Sequence, residues 1–170
     1  MKFFISDIKQ KQQIFTLEGY HVSMLRTLLS DGTSANALYR ITCWFMCYKL
    51  APIAIITLWL NKLINGCVIG AGVKFKEGFV IMHPVGVVIN SKVTGGCNVV
   101  VESGVVIGDE KGQAPVLGNN IFIGAGAKVI GGISIGDNVK IGANAVVVKN
   151  VPSNVTVVGI PAKIIERGEH

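Results

Sequence analysis

The stretch IGAGAKVIGGISIGDNVKIGANAVV, residues 123–147, carries an aliphatic side chain at every sixth position: Ile123, Val129, Ile135, Ile141 and Val147. The same step taken backwards reaches Leu117, Lys111, Val105, Val99, Val93, Val87, Ile81, Phe75 and Ile69, and Lys111 alone of these fourteen positions is not apolar. Glycine follows at Gly70, Gly118, Gly124, Gly136 and Gly142, where it can turn a corner at low steric cost. A second inward candidate stands four residues after each member, at Val73, Val85, Ser91, Cys97, Ser103, Ala127, Ile133, Val139 and Ala145. That is two residues before the next member, the alternation of a short strand. Strand and corner repeating at six predict a hexapeptide β-helix, whose phase is expected to run unbroken from Ile69 to Pro152. At about eighteen residues per three-sided coil, this length gives four to five coils.

Three parts are expected: a helical segment over 1–66, the coil domain over 67–152 and a capping tail over 153–170. Glycine is scarce before residue 66, and Ser30–Ser34, with Asp31 and Gly32, reads as a helix break. Residues 41–60 contain one charge, Lys49, and one proline, Pro52. Both features oppose a single membrane span, so helices packed against protein are expected there. Trp44, Phe45, Tyr48 and Trp59 suit a peripheral membrane contact at most. Inside the coils, DEKGQAPV (109–116) breaks the rule and is expected to be extruded as a loop.

Half of the 170 residues are hydrophobic and only 15% are charged, which gives ample core and no sign of disorder. The net charge of +6 suits an anionic ligand or surface. No basic run is interleaved with aromatics, so no nucleic-acid partner is expected. Cys43, Cys47, Cys67 and Cys97 lack metal-ligand spacing and read as buried free thiols of a cytoplasmic protein, with no metal. Met1–Gln13 has no apolar core or cleavage site of a signal peptide.

The histidines are His21, His83 and His170. His83, in Ile81-Met82-His83-Pro84, lies in the coil region and should point outward from the prism, which makes it the candidate general base. No nucleophile motif accompanies it, so direct transfer is favoured over a covalent intermediate.

Residues 25–165 resemble the hexapeptide acyltransferases of the serine acetyltransferase type. The resemblance rests on residues 123–147 with the following VPSNVTVVGIPAKII, on GFVIMHPVGVVIN (78–90), which carries His83, and on LLSDGTSANALYRITCW (28–44). It implies a left-handed parallel β-helix, mainly β with an N-terminal α-helical segment. It also implies a homotrimer, and acetyl transfer from acetyl-CoA to a hydroxyl. By position, Ala125 and Ala143 would meet the pantetheine arm through their backbones. Gly108 would lie near the thioester, and Lys140 and Lys163 would partner the phosphates.

Departures from the family pattern point elsewhere. The aspartate that binds the amino acid is Met82 here, the aspartate that orients the histidine is Val68, and the loop histidine is missing. These losses make the chain similar to the shorter capsule and exopolysaccharide O-acetyltransferases. The expected acceptor is therefore a sugar hydroxyl, possibly lipid-linked, met in the cytoplasm or at the inner face of the membrane. Serine O-acetylation and a non-catalytic solenoid are the alternatives. A main-chain carbonyl, Glu102 or Asp109 is left to orient His83, and no dimer of trimers is expected.

Overall fold

The computed structural model describes residues 2–165, so His170 and the last residues of the tail lie outside the described residues. Four helices precede the coils: α1 (Lys2–Leu17), α2 (Met24–Leu28), α3 (Thr33–Cys47) and α4 (Ala51–Asn65). Fifteen short strands then wind into a left-handed parallel β-solenoid with three faces. The first face stacks β1 (Val68–Ile69), β4 (Val88–Ile89), β7 (Val106–Gly108), β10 (Lys128–Ile130) and β13 (Val146–Val147). The second stacks β2 (Lys74–Phe75), β5 (Thr94–Gly95), β8 (Val116–Leu117) and β11 (Ser134–Ile135). The third stacks β3 (Val80–Ile81), β6 (Val99–Val101), β9 (Ile121–Ile123), β12 (Lys140–Ile141) and β14 (Thr156–Val158). The tail strand β15 (Lys163–Ile165) returns antiparallel on β14.

All thirteen apolar members of the six-residue series are buried, but the phase is not unbroken. Partners on the first face, Val68–Val88–Val106–Lys128–Val146, are 20, 18, 22 and 18 residues apart. The first coil carries two extra residues at the corner Met82–Gly86, and the third carries four in the loop after β7. Together these slips restore a step of six. Counting by six therefore moves from one inward row to the other between Ile81 and Val87, and moves back after Lys111. This corrects the second inward series: Val85 and Ser91 are exposed, and Cys97 and Ser103 are only half-buried, because they sit at corners. The extra residues at the first corner bracket His83.

One corner is held by asparagines. Asn98, Asn120, Asn138 and Asn154 all have left-handed backbones, with φ between 55° and 64°. Each amide donates to the next along the prism, at 2.9, 3.0 and 2.8 Å. Asparagine tolerates this conformation and its polar ladder bonds neighbouring coils.

The open edge of β3 would leave main-chain groups unpaired, and the helices cover it. The Phe79 N–H donates to Asp7 Oδ1 of α1 (3.0 Å) and the Ile81 N–H to Asn36 Oδ1 of α3 (2.8 Å). The Asn36 amide returns a bond to the Phe79 carbonyl (2.5 Å), and the Lys11 ammonium donates to the Ile81 carbonyl (3.1 Å). Arg40 grips Asp7 with two bonds, at 2.7 and 2.9 Å. Burial pushes the Asp7 carboxyl up while Arg40 pulls it down. These side chains fix α1 and α3 against the strand that leads into His83.

The helices within 41–60 are not enclosed in the protomer. Pro52 lies in the first turn of α4, after a break at Lys49 (φ 59°). The face of α4 turned to α3 is small and polar, with Ala54, Thr57, Asn61 and Asn65 buried. Thr57 meets Thr42 at 2.7 Å and Asn61 donates to the Ala35 carbonyl at 3.2 Å. Ile55, Ile56, Trp59, Leu63 and Ile64 face outward and are exposed. α4 thus packs against α3 as expected, but through polar contacts, and its apolar side faces outward. Of the cysteines, Cys67 is buried, Cys43 and Cys97 are half-buried and Cys47 is exposed.

Candidate active site

His83 stands at the corner between the third face and the first. The register Ile81–Val101–Ile123–Ile141 aligns the corner residues of successive coils. Across this corner Val85, Ser103, Ala125 and Ala143 occupy equivalent places in one column along the prism edge, and His83 lies in the two-residue insertion just before Val85. Main-chain bonds tie the column together: Gly104 N–H to Val85 O (2.9 Å), Gly126 N–H to Ser103 O (2.8 Å) and Asn144 N–H to Ala125 O (2.8 Å). Coils stack about 4.8 Å apart, so Ala143 lies roughly 15 Å from His83 along this edge.

The imidazole is open to solvent, with its side chain 59% exposed. Its Nδ1 lies 2.8 Å from Oδ2 of Asp31, in the turn between α2 and α3. A carboxylate only accepts, so Nδ1 carries the proton and Nε2 is left with the free lone pair of a base. The other carboxylate oxygen, Oδ1, accepts the Gly32 N–H at 2.9 Å, which fixes the carboxylate within its own turn. Gly32 allows that turn to touch the coil. Its φ is +75°, and a methyl there would sit 2.2 Å from the Ile81 carbonyl oxygen.

Asp31 is the residue that sequence reasoning missed. It was legible only as part of a helix break, and the contact spans 52 residues with no periodic signal. Neither Glu102 nor Asp109 bonds the imidazole: Asp109 accepts from Asn90 (2.8 Å). Glu102 is next to Met82 in the stack, and burial pushes its carboxyl up while His83 and Lys11 pull it down. Met82 is 7% exposed and packs with Val80 and Val100 under Ile14 and Phe15 of α1. Val68 is exposed on the first face.

The remaining candidates divide by place. Ala125 and Ala143 are exposed on the His83 edge, and Lys140 is exposed three residues before Ala143. Lys163 pairs with Val158 beside that face. Gly108 is not brought to His83 within the protomer. It ends β7 on a different corner, beside the loop in which Glu110 and Gln113 pair. An apolar hollow of about 530 Å³ between α1, α3 and the first coil, lined by Phe3, Tyr39, Cys43, Trp44 and Gly72 among others, contains none of these residues.

Comparison with known proteins identifies the lineage. Residues 114–149 match the bacterial transferase hexapeptide (six repeats). A serine acetyltransferase of Helicobacter pylori is 40% identical over 137 residues, covering 78% of this chain and 76% of that protein. The chain belongs to the serine acetyltransferase family. The serine acetyltransferase of Synechococcus elongatus is 39% identical over 144 residues, covering 82% of this chain but 59% of that relative, so the chain spans about three-fifths of its length. Among solved structures, the Neisseria gonorrhoeae serine acetyltransferase in complex with serine superposes with a TM-score of 0.88 at 29% identity. That match covers 97% of this chain and 68% of the other. A serine acetyltransferase in complex with CoA gives 0.88 at 27% identity, covering 96% and 68%. These serine acetyltransferases overturn the similarity to capsule and exopolysaccharide enzymes and the saccharide acceptor inferred from it. In this structure the imidazole contact that Val68 cannot make is made by Asp31, from outside the coils. The residue at 82 is a packing residue under α1.

Proposed function

We propose that this chain transfers the acetyl group of acetyl-CoA to the hydroxyl of serine. The observation that carries the reading is the Nδ1–Asp31 contact, which leaves Nε2 of His83 free on the prism edge. The family's serine-bound and CoA-bound members support the two substrates. In the proposed step, Nε2 removes the serine hydroxyl proton as its oxygen attacks the thioester carbonyl. The tetrahedral intermediate collapses with loss of CoA thiolate, which receives the same proton from His83. No covalent enzyme intermediate is needed.

In this reading the extended arm of the coenzyme runs along the edge defined by Ala125 and Ala143, and Lys140 and Lys163 meet its phosphates. Gly108 reaches the reacting carbonyl only from a neighbouring prism, where its backbone N–H would steady the oxyanion. That requirement supports a trimer, with the coenzyme groove walled by two subunits. Light scattering should give the mass of three chains, and a monomeric mass would remove Gly108 from the site.

Thiol release from acetyl-CoA, monitored with serine and with a panel of sugars, tests the acceptor. Serine-dependent release is expected. Release that depends on another acceptor and ignores serine would reject the reading.

Among the described residues no helix is long and apolar enough to cross a membrane. We place the enzyme in the cytoplasm, with the exposed side of α4 meeting the inner membrane surface. Residues 32–76 contain no acidic side chain, while Lys49 and Lys62 flank the exposed isoleucines and Trp59. Such a face suits an anionic interface. The protein should co-sediment with vesicles of phosphatidylglycerol and phosphatidylcholine, and Ile56→Glu should abolish this. Equal recovery with and without vesicles would refute the contact.

A further inference from the structure

We propose that the orienting carboxylate of the base has been rebuilt outside the coils, on the turn at Asp31, and that Lys11 of α1 is the positioning residue that clamps this turn to the strand carrying His83. The proposal rests on the reading of His83 as the base.

Two backbone segments must be kept in register for the Asp31–His83 contact to persist. One is the turn between α2 and α3, and the other is the end of β3, two residues before His83. Asp31 and His83 are 52 residues apart in sequence, and the two segments share no strand pairing. A single ammonium bridges them. Lys11 Nζ donates to the main-chain carbonyl of Asp31 itself and to the Ile81 carbonyl at 3.1 Å, with Thr33 Oγ1 at 3.4 Å. The three acceptors use all three of its protons. Gly32 packs between them, against the Ile81 and Met82 carbonyls.

Lys11 is 3% exposed, an unusual place for a lysine. Burial pushes its ammonium down to about 8, opposed by the carboxylates of Asp31 and Glu102. A core apolar residue would hold α1 in place without that cost, since burying a charge is unfavourable unless oxygens surround it. What an apolar residue cannot do is bond two carbonyls at once. The position thus favours geometry at the dyad over stability.

Clamping affects the base through its orientation. If the turn drifts, Asp31 releases Nδ1, the imidazole rotates freely and either nitrogen can carry the proton. Only the tautomer with the proton on Nδ1 presents Nε2 as a base. Binding of acetyl-CoA, along Ala125 and Ala143, is distant from the clamp and should not respond.

The test compares Lys11→Met, Lys11→Arg and Asp31→Asn in the full chain. Lys11→Met should lower kcat about tenfold or more with the KM for acetyl-CoA unchanged, Asp31→Asn should lower it at least as far, and Lys11→Arg should recover part of the loss. Proton NMR of the free enzyme supplies the second readout: the Nδ1–H resonance of His83 should be present in the wild type and lost in Lys11→Met. Ile141→Val, a core change elsewhere, controls for destabilisation and should keep the resonance. If Lys11→Met does not fold, Lys11→Gln, which keeps a shorter neutral donor, takes its place. An unchanged kcat and resonance in the folded Lys11 variant, or equal losses in Ile141→Val, would overturn the proposal. The resonance needs no acceptor, so a failure to acetylate serine would reject the acceptor and leave the clamp to be judged by NMR.

Discussion

His83→Ala lowers acetyl transfer by about 10²–10⁴-fold, the usual contribution of a general base, and leaves CoA affinity nearly unchanged. The separation comes from the layout of the edge. His83 is on the first coil, and the column that would hold the coenzyme, Ala125 and Ala143, is on the third and fourth. The side chain is 59% exposed and among the described residues its side-chain bond is to Asp31, so its removal leaves the coil core intact. Steady-state kinetics with calorimetric titration of CoA checks both halves. A loss smaller than about tenfold would assign the proton transfer to another group.

Gly32→Ala produces the second large effect, without touching a reacting group. The added methyl would lie 2.2 Å from the Ile81 carbonyl oxygen and 2.8 Å from that of Met82, and the φ of +75° disfavours any side chain. Both obstacles are backbone, so the turn must lift from the coil. Asp31 is the preceding residue and moves with it. A misplacement of about 1 Å costs on the order of 10²-fold in rate. Strain of this kind destabilises by about 1–3 kcal/mol, which lowers the melting temperature but leaves a folded protein. Circular dichroism should report retained structure and kinetics a large fall in kcat. Wild-type activity in Gly32→Ala would show that the turn tolerates displacement and that the Asp31 contact is dispensable.

The solenoid was legible because its physics is periodic. Each coil buries the same two rows, so thirteen inward residues from Ile69 to Val147 announced themselves by spacing alone. The same regularity concealed a detail. The insertions at Met82–Gly86 and after β7 cancel, and the phase looked continuous across the corner that holds His83. His83 was singled out in the sequence as the one histidine inside the coil region, and the structure places it at a corner. Its partner was not legible, since Asp31 reaches it through helix docking, which depends on Asp7, Lys11, Asn36 and Arg40 meeting one strand edge. None of those contacts repeats along the chain. Met82 misled for a related reason: alignment gives its place in the strand, whereas its burial under Ile14 and Phe15 is set by α1. The acceptor inferred from the missing carboxylates failed with that assumption. Which side of α4 faces outward was also hidden, because an apolar run reads alike whether its apolar side faces in or out.

Product analysis tests the central claim most directly. Purified protein is incubated with acetyl-CoA and serine, and the products are identified by NMR before and after removal of His83. The account predicts O-acetylserine and free CoA in equal amounts from the wild type and neither above background from His83→Ala. CoA released without acetylserine, or acetylserine formed equally by His83→Ala, would contradict it.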